Sequence, residues 1–215
     1  MSRRILSTIL DEPDAYLLMQ EVQAVLDKER ERRIQFYNDI TEQEKVEFIN
    51  GEIIVHSPVK KKHNKVSLLL AQLLNIYVTK HDLGFVGIEK IMITLSRNDY
   101  EPDICFFGKE KAEQLSDNQT LFPAPDLVIE VLSDSTAKRD RGVKFQDYQS
   151  HGIPEYWIID AENQTIEQYY LEGEEYQLVF KSSRGDIKSF VVEGFEIPVA
   201  AIFNENENLK ALQGF

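Results

Sequence analysis

The pattern of apolar and polar positions predicts strands and helices alternating along most of the chain. Asp14 to Ile34 reads as an amphipathic helix, with Leu17, Leu18, Val22, Val25 and Leu26 near helical spacing and an almost wholly charged stretch from Asp27 to Arg33. Such a charged face ordinarily meets water, although the helix could also dock on the domain or pair with a second copy. Val46, Phe48 and Ile49, then Ile53, Ile54 and Val55, flank Asn50-Gly51. That dipeptide accepts positive φ at both turn positions, so a hairpin is expected. Ser57-Pro58 reads as the N-cap and first residue of a helix carrying Val59, Val66, Leu70, Leu73 and Tyr77 on one stripe and ending near Asp82, before Gly84.

Strand-like runs follow at Phe85 to Leu95, at Asp103 to Phe107 and, beyond a polar stretch ending in Pro123 and Pro125, at Asp126 to Ser133. The last is apolar on both faces, as expected of a central, doubly covered strand. Ser135 or Thr136 can cap a second helix over Ala137 to His151, which Gly152 and Pro154 end. Tyr156 to Ile159 is a further buried strand. Thr165 to Leu171 and Tyr176 to Phe180 form a hairpin around Gly173, and Phe190 to Val199 is a last edge segment. This order predicts an α/β fold with a mixed sheet.

Two acids break the apolar pattern. Glu130 takes an inward position between Val128 and Leu132, where an ionised carboxylate is costly unless paired or metal-bound. Asp103 opens the run Ile104 to Phe107 directly after Pro102, which cannot donate to a ladder and suits a strand start. If the two strands are neighbours, both carboxylates converge at one end of the sheet as oxygen ligands of the kind Mg²⁺ accepts. Lys144 lies on the helix leaving the Glu130 strand, on a stripe with Asp140, Tyr148 and His151, and its stem could carry the ammonium to the acids. The competing reading is a structural Glu130–Lys144 ion pair. Glu47 is a further candidate acid on the first strand, whereas Glu52 only flanks the turn. His63, on the apolar stripe of the first long helix, is a core histidine or a phosphate contact.

Charge and composition narrow the field. The 215 residues, 42% hydrophobic and 28% charged, suit one soluble domain and exclude wholesale disorder, collagen-like repeats and a polytopic membrane protein. Cys105 is the single cysteine and reads as a core thiol; with no leader segment, a reducing cytoplasm is the expected compartment and no membrane partner is expected. Lys plus Arg number 24 against 37 Asp plus Glu, a net charge of −13, which repels a polyanion. A nucleic-acid partner therefore needs local positive patches. Lys60, Lys61, Lys62 and Lys65 crowd the start of the first long helix, and Lys138, Arg139 and Arg141 the start of the second. Both clusters oppose the helix dipole, which suggests anions nearby.

At these residues the sequence resembles the Uma-type (Uma2) restriction-endonuclease-like family of the PD-(D/E)XK nuclease superfamily. The matching pieces are Val46 to Ile53, His63, Glu101-Pro102-Asp103-Ile104, Pro125 to Ser133, Ser135-Thr136, Asp140, Lys144, Tyr148 and Gly152 to Asp160, in order and spacing over roughly 41 to 200. The resemblance implies a restriction-endonuclease-like mixed β-sheet flanked by helices, here with a β-hairpin extension. The domain is expected over 41–200, with an N-terminal helical extension over 1–40 and a C-terminal tail over 201–215 outside the resemblance.

The function so implied is Mg²⁺- or Mn²⁺-dependent hydrolysis of phosphodiester bonds in DNA. Asp103, Glu130 and the Val131 carbonyl would hold the metal, and Asp103, Glu130, Lys144 and Glu47 would form the catalytic set. His63, Lys62, Lys65, Lys138, Arg139 and Arg141 would meet phosphates. One departure stands out: the superfamily's usual lysine two residues after the second acid is replaced by Leu132, and Lys144 stands where this family supplies it from the following helix. The rival readings are a catalytically silent nucleic-acid or protein interaction module on the same fold, and a phosphohydrolase of smaller substrates. A homodimer through the N-terminal helix is a further expectation.

Overall fold

The computed structural model describes residues 2–41 and 44–215. Its elements in chain order are α1 (Ser2–Leu10), α2 (Ala15–Asp39), β1 (Val46–Ile49), β2 (Glu52–Val55), α3 (Lys61–His81), β3 (Gly84–Ile88), β4 (Met92–Thr94), β5 (Asp99–Tyr100), β6 (Ile104–Gly108), α4 (Lys109–Ala112), β7 (Leu121–Phe122) and β8 (Leu127–Val131). A short helix α5 (Ala137–Arg139), a π-helical turn (Asp140–Lys144) and α6 (Phe145–Ser150) then run on without a break. The chain closes with β9 (Glu155–Asp160), β10 (Thr165–Glu172), β11 (Glu175–Ser182), β12 (Asp186–Lys188), β13 (Glu196–Pro198), α7 (Ala200–Phe203) and α8 (Glu205–Gln213).

A six-stranded mixed sheet, in the order β11-β10-β9-β8-β6-β3, forms the centre. β8 pairs in parallel with β9 and antiparallel with β6, and all five of its residues are buried. Side chains alternate across the pleat, so Ile104, Phe106, Leu127 and Ile129 pack on one face with Val66, Leu70 and Leu73 of α3, and Cys105, Phe107 and Val128 pack on the other with Tyr148 of α6. That second face also meets a five-stranded sheet, β2-β1-β5-β4-β7, through Ile93 and Tyr100. The site lies between the two sheets.

Asn50 and Gly51 take φ of 51° and 82°, and β1 and β2 pair in the register their hairpin requires. Several boundaries differ from the pattern. α3 starts at Lys61, with Lys60 at the cap and no side-chain cap bond, because Ser57–Lys60 stays extended along the walls of two cavities. Its other end falls at Asp82 as expected, in the left-handed region at φ 54°. The run from Phe85 to Leu95 is two strands in different sheets, broken at Glu89 with φ 57°. The second helix contains a π turn where a regular helix is expected. The segment from Phe190 supplies only β13, which pairs with β12 apart from the main sheet.

Candidate active site

The register of β6 on β8 sets the geometry. Ile104 pairs with Ile129 and Cys105 with Val128, so one step further the ladder aligns Asp103 with Glu130. Residues opposite each other in an antiparallel pair share a face, and both acids therefore point between the two sheets. Both are nearly buried, at 5% and 4% exposure. They open on a cavity of about 330 Å³ that is also lined by Lys45, His63, Val131 and Lys144.

Asp103 is held on every side. Its Oδ2 accepts the Val131 N–H at 2.8 Å and lies 3.2 Å from His63 Nε2, while Oδ1 accepts from Lys45 Nζ at 3.0 Å. Burial works to raise its pKa, but His63, Lys45 and the Val131 N–H outweigh it and hold the carboxyl well below the usual range. For His63 burial opposes the charge and Asp103 overcomes it, so its pKa is raised.

Glu130 is matched to Lys144. The ammonium lies 2.9 Å from Glu130 Oε1, 2.7 Å from Glu47 Oε1 and 3.5 Å from Asp140 Oδ1. Tyr148 donates its hydroxyl to the same Glu130 oxygen at 3.1 Å. The π turn brings Asp140 and Lys144 into this cage, a backbone departure that recurs at functional sites. Burial disfavours the ammonium, but three carboxylates raise the Lys144 pKa well above its ordinary value. Burial and the neighbouring acids push the Glu130 carboxyl upward, against the pull of Lys144. Glu47, by contrast, sits at about 2, because Lys144 and His56 outweigh its burial.

The second sheet contributes the rest. Glu47 on β1 also accepts the Glu101 N–H at 3.0 Å, and Glu101 in turn accepts the Val46 N–H at 2.9 Å, a reciprocal clamp across the two segments. His56 Nε2 is 3.0 Å from Glu47 Oε2, near enough for an ion pair but not aligned as a hydrogen bond.

Asp103, Glu130, Lys144, Glu47, Val131 and His63 thus come together, and the basic candidates disperse. Lys62 pairs with Glu162 in an adjoining cavity of about 420 Å³ that shares His63. Lys65 pairs with Glu205 of α8, Arg141 is committed to Glu167 of β10, and Lys138 stands exposed. Arg139 is half-buried, its Nε without a hydrogen-bond partner among the described residues. Of the stripe Asp140, Lys144, Tyr148 and His151, Lys144 and Tyr148 reach Glu130, Asp140 lies against Lys144, and His151 turns away to Ser96. Lys45 went unnoticed in the sequence: a lysine before a strand carries no signal, and only the docking of the second sheet brings it to Asp103.

Among the described residues, no three acidic, histidine or cysteine side chains enclose a ready metal site. The donor chemistry nevertheless suits a hard cation: two carboxylates at facing register points on a cavity that Val131 also lines. As it stands, the ammonium groups of Lys45 and Lys144 neutralise those acids.

Comparison with known proteins bears on the family and the fold. The Uma2 family, described as "Putative restriction endonuclease", matches residues 31–200. The "Uncharacterized protein sll1609" of Synechocystis sp. is 32% identical over 134 residues, 61% of this chain and 75% of the relative. The "Uncharacterized protein slr1290" of the same organism is 26% identical over 167 residues, 75% and 85% of the two chains. A crystal structure described as a putative nuclease belonging to DUF820, from Anabaena variabilis, shares the fold with a TM-score of 0.68 at 20% identity, covering 82% of this chain and 96% of that one. Among the described residues, no helix is long and apolar enough to cross a membrane.

Proposed function

This chain belongs to the Uma2 family of restriction-endonuclease-like proteins, and from that premise we propose that it hydrolyses phosphodiester bonds in DNA with a divalent metal ion held at Asp103 and Glu130. The observation that carries this reading is the β6–β8 register, which sets two buried acids side by side on one cavity with the Lys144 ammonium 2.9 Å from Glu130. Mg²⁺ or Mn²⁺ would be held by Asp103, Glu130 and the Val131 carbonyl, and when bound would lower the pKa of a water and offset phosphate charge.

The chain's own residues supply the remainder. Asp103 is fixed by Val131, His63 and Lys45, so its carboxylate does not reorganise when substrate enters. Lys144 is an oriented cation in a dry setting, where it stabilises negative charge developing on the phosphoryl oxygens far better than it would in water. Glu47 and Asp140 position that ammonium from behind. Lys45, partly exposed at the rim, is within reach of a non-bridging oxygen. His63 and Lys62 line the adjoining cavity, where the next phosphate along the strand would lie; Lys138 and Arg139, with Lys65 and Arg141 once free of Glu205 and Glu167, would add salt-dependent contacts.

Plasmid nicking with Mg²⁺ and Mn²⁺ tests the proposal. Asp103→Asn, Glu130→Gln and Lys144→Met are each expected to lower the rate by at least about a hundredfold, the scale of losing one oriented electrostatic group. Nicking indifferent to all three substitutions in folded protein would refute it, as would DNA binding without any cleavage by the wild type, which would assign the chain to the silent interaction modules.

A further inference from the structure

The N-terminal helices stand apart from the rest of the fold. The bonds that tie α2 to the body begin at Glu29, which pairs with Arg97, and continue through Arg33 to Asp99 and through Phe36 on Phe48. The 14 residues of α2 before that anchor make about 21 Å of helix, with α1 folded against its start. Nine large apolar side chains between Ile5 and Leu26 are exposed there, Leu10 at 67%, Met19 at 59%, Val22 at 56% and Val25 at 54% among them. An ordinary surface helix buries such a stripe on its own domain. Here the stripe faces outward.

We propose that this arm is a self-association surface and that its occupant is the arm of a second copy. Leu18, Val22 and Val25 follow the alternating four- and three-residue spacing of a coiled-coil seam, and Met19 and Leu26 widen it. Full burial of a large apolar side chain removes roughly 60–120 Å², so nine of them bring about 500–1,100 Å² to a contact. That range brackets the roughly 800 Å² per partner of a standard stable interface. Charge fits as well, because two antiparallel arms bring Glu21 of one towards Lys28 and Arg30 of the other. A net charge of −13 sets the whole chain against an anionic lipid surface, the other natural occupant of an apolar helical face. A groove of about 530 Å³ between α2 and the loop holding Ser96 and Arg97 continues the surface at the foot of the arm.

Light scattering on the full chain over a micromolar concentration series tests the proposal. The wild type is expected at twice its 24.9 kDa mass. Val22→Glu with Leu26→Glu is expected to give the single mass with an unchanged far-ultraviolet circular dichroism spectrum, since both side chains are exposed in one copy, and Val22→Ser is expected to weaken the dimer with less change of charge. Leu209→Glu, exposed on α8, is expected to remain dimeric. A wild type monomeric throughout, a double variant that stays dimeric, or a monomer that sediments with phosphatidylserine vesicles would each overturn it.

Discussion

Replacing Lys144 by Met keeps the length of the side chain and removes the ammonium that Glu47, Glu130 and Asp140 share. The ammonium is fully buried and lies 2.7, 2.9 and 3.5 Å from the three carboxylates. At an effective dielectric of about 20, a contact near 3 Å is worth about 5 kcal/mol before the desolvation it offsets. Measured losses on breaking a buried pair from one side are smaller, about 3–5 kcal/mol, because what remains is an uncompensated buried charge. In a chain of this size that is about 6–20 °C of melting temperature. Urea unfolding in EDTA, at unchanged m-value, is the assay. The loss should grow as pH rises, since the three acids, deprived of the ammonium, fold best when protonated and the unfolded chain ionises first. A divalent cation at a hundred times its dissociation constant should return about 2.7 kcal/mol. A stability within about 1 kcal/mol of wild type in EDTA would show that the ammonium does not neutralise the acid cluster.

Lys45→Met removes the cation resting 3.0 Å from Asp103 Oδ1 and should tighten Mn²⁺ binding by about an order of magnitude in calorimetric titration, as the ion no longer competes with an ammonium. On β10, hydrogen bonds from Arg141, Lys181 and Tyr169 outweigh the burial of Glu167 and hold its carboxyl at about 2. A depressed folded pKa stabilises above the unfolded value and is lost as pH falls, so Glu167→Gln should flatten the fall in urea midpoint between about pH 4.5 and pH 2 relative to wild type. Asp134→Asn with Glu162→Gln releases Lys60 and Lys62 from their partners and should steepen the dependence of DNA affinity on salt by about 1.8 in log–log slope, two phosphate contacts' worth.

Much of the centre of this molecule is visible in its residues before any coordinate is seen. Glu130 declares itself because a strand apolar on both faces leaves no wet position for an acid, and Asp103 because it opens an apolar run directly after Pro102. Lys144 follows from helical spacing, since a helix leaving β8 packs back over the sheet. The π turn under Lys144 has no local code: Asp140 to Lys144 would propagate as ordinary helix, and only in the fold does the Tyr156 hydroxyl come to donate to the Asp140 carbonyl at 3.1 Å. Ser57-Pro58 is a sound local cap signal that loses to tertiary context, as those residues stay extended to wall the cavities. Lys45 and Glu101 are legible only after the second sheet has docked, because their partners lie 58 and 55 residues away in the chain. Turn chemistry at Asn50-Gly51 was written in two residues, whereas the break at Glu89 places a non-glycine residue at φ 57° with no signature.

The excess of acid is the standing objection to a polyanionic substrate, and its distribution answers it. Glu47, Asp103, Glu130 and Asp140 are buried and face Lys45 and Lys144, so a large share of the negative charge near the cavity is spent inside the protein. At the mouth, Lys60 and Lys62 face Asp134 and Glu162, whose side chains are 90% and 68% exposed. Pairs so open to water hold weakly and are screened by salt. A phosphate entering beside His63 offers those lysines a partner of higher charge density, in a cavity partly shielded from water, and frees the two carboxylates to solvent. On this reasoning the mouth is nearly neutral until a phosphate arrives, and affinity comes from an exchange of partners rather than from a standing positive field. Association should then be slow for a nucleic-acid protein and only weakly accelerated at low salt, and the carboxylates at positions 134 and 162 set that rate.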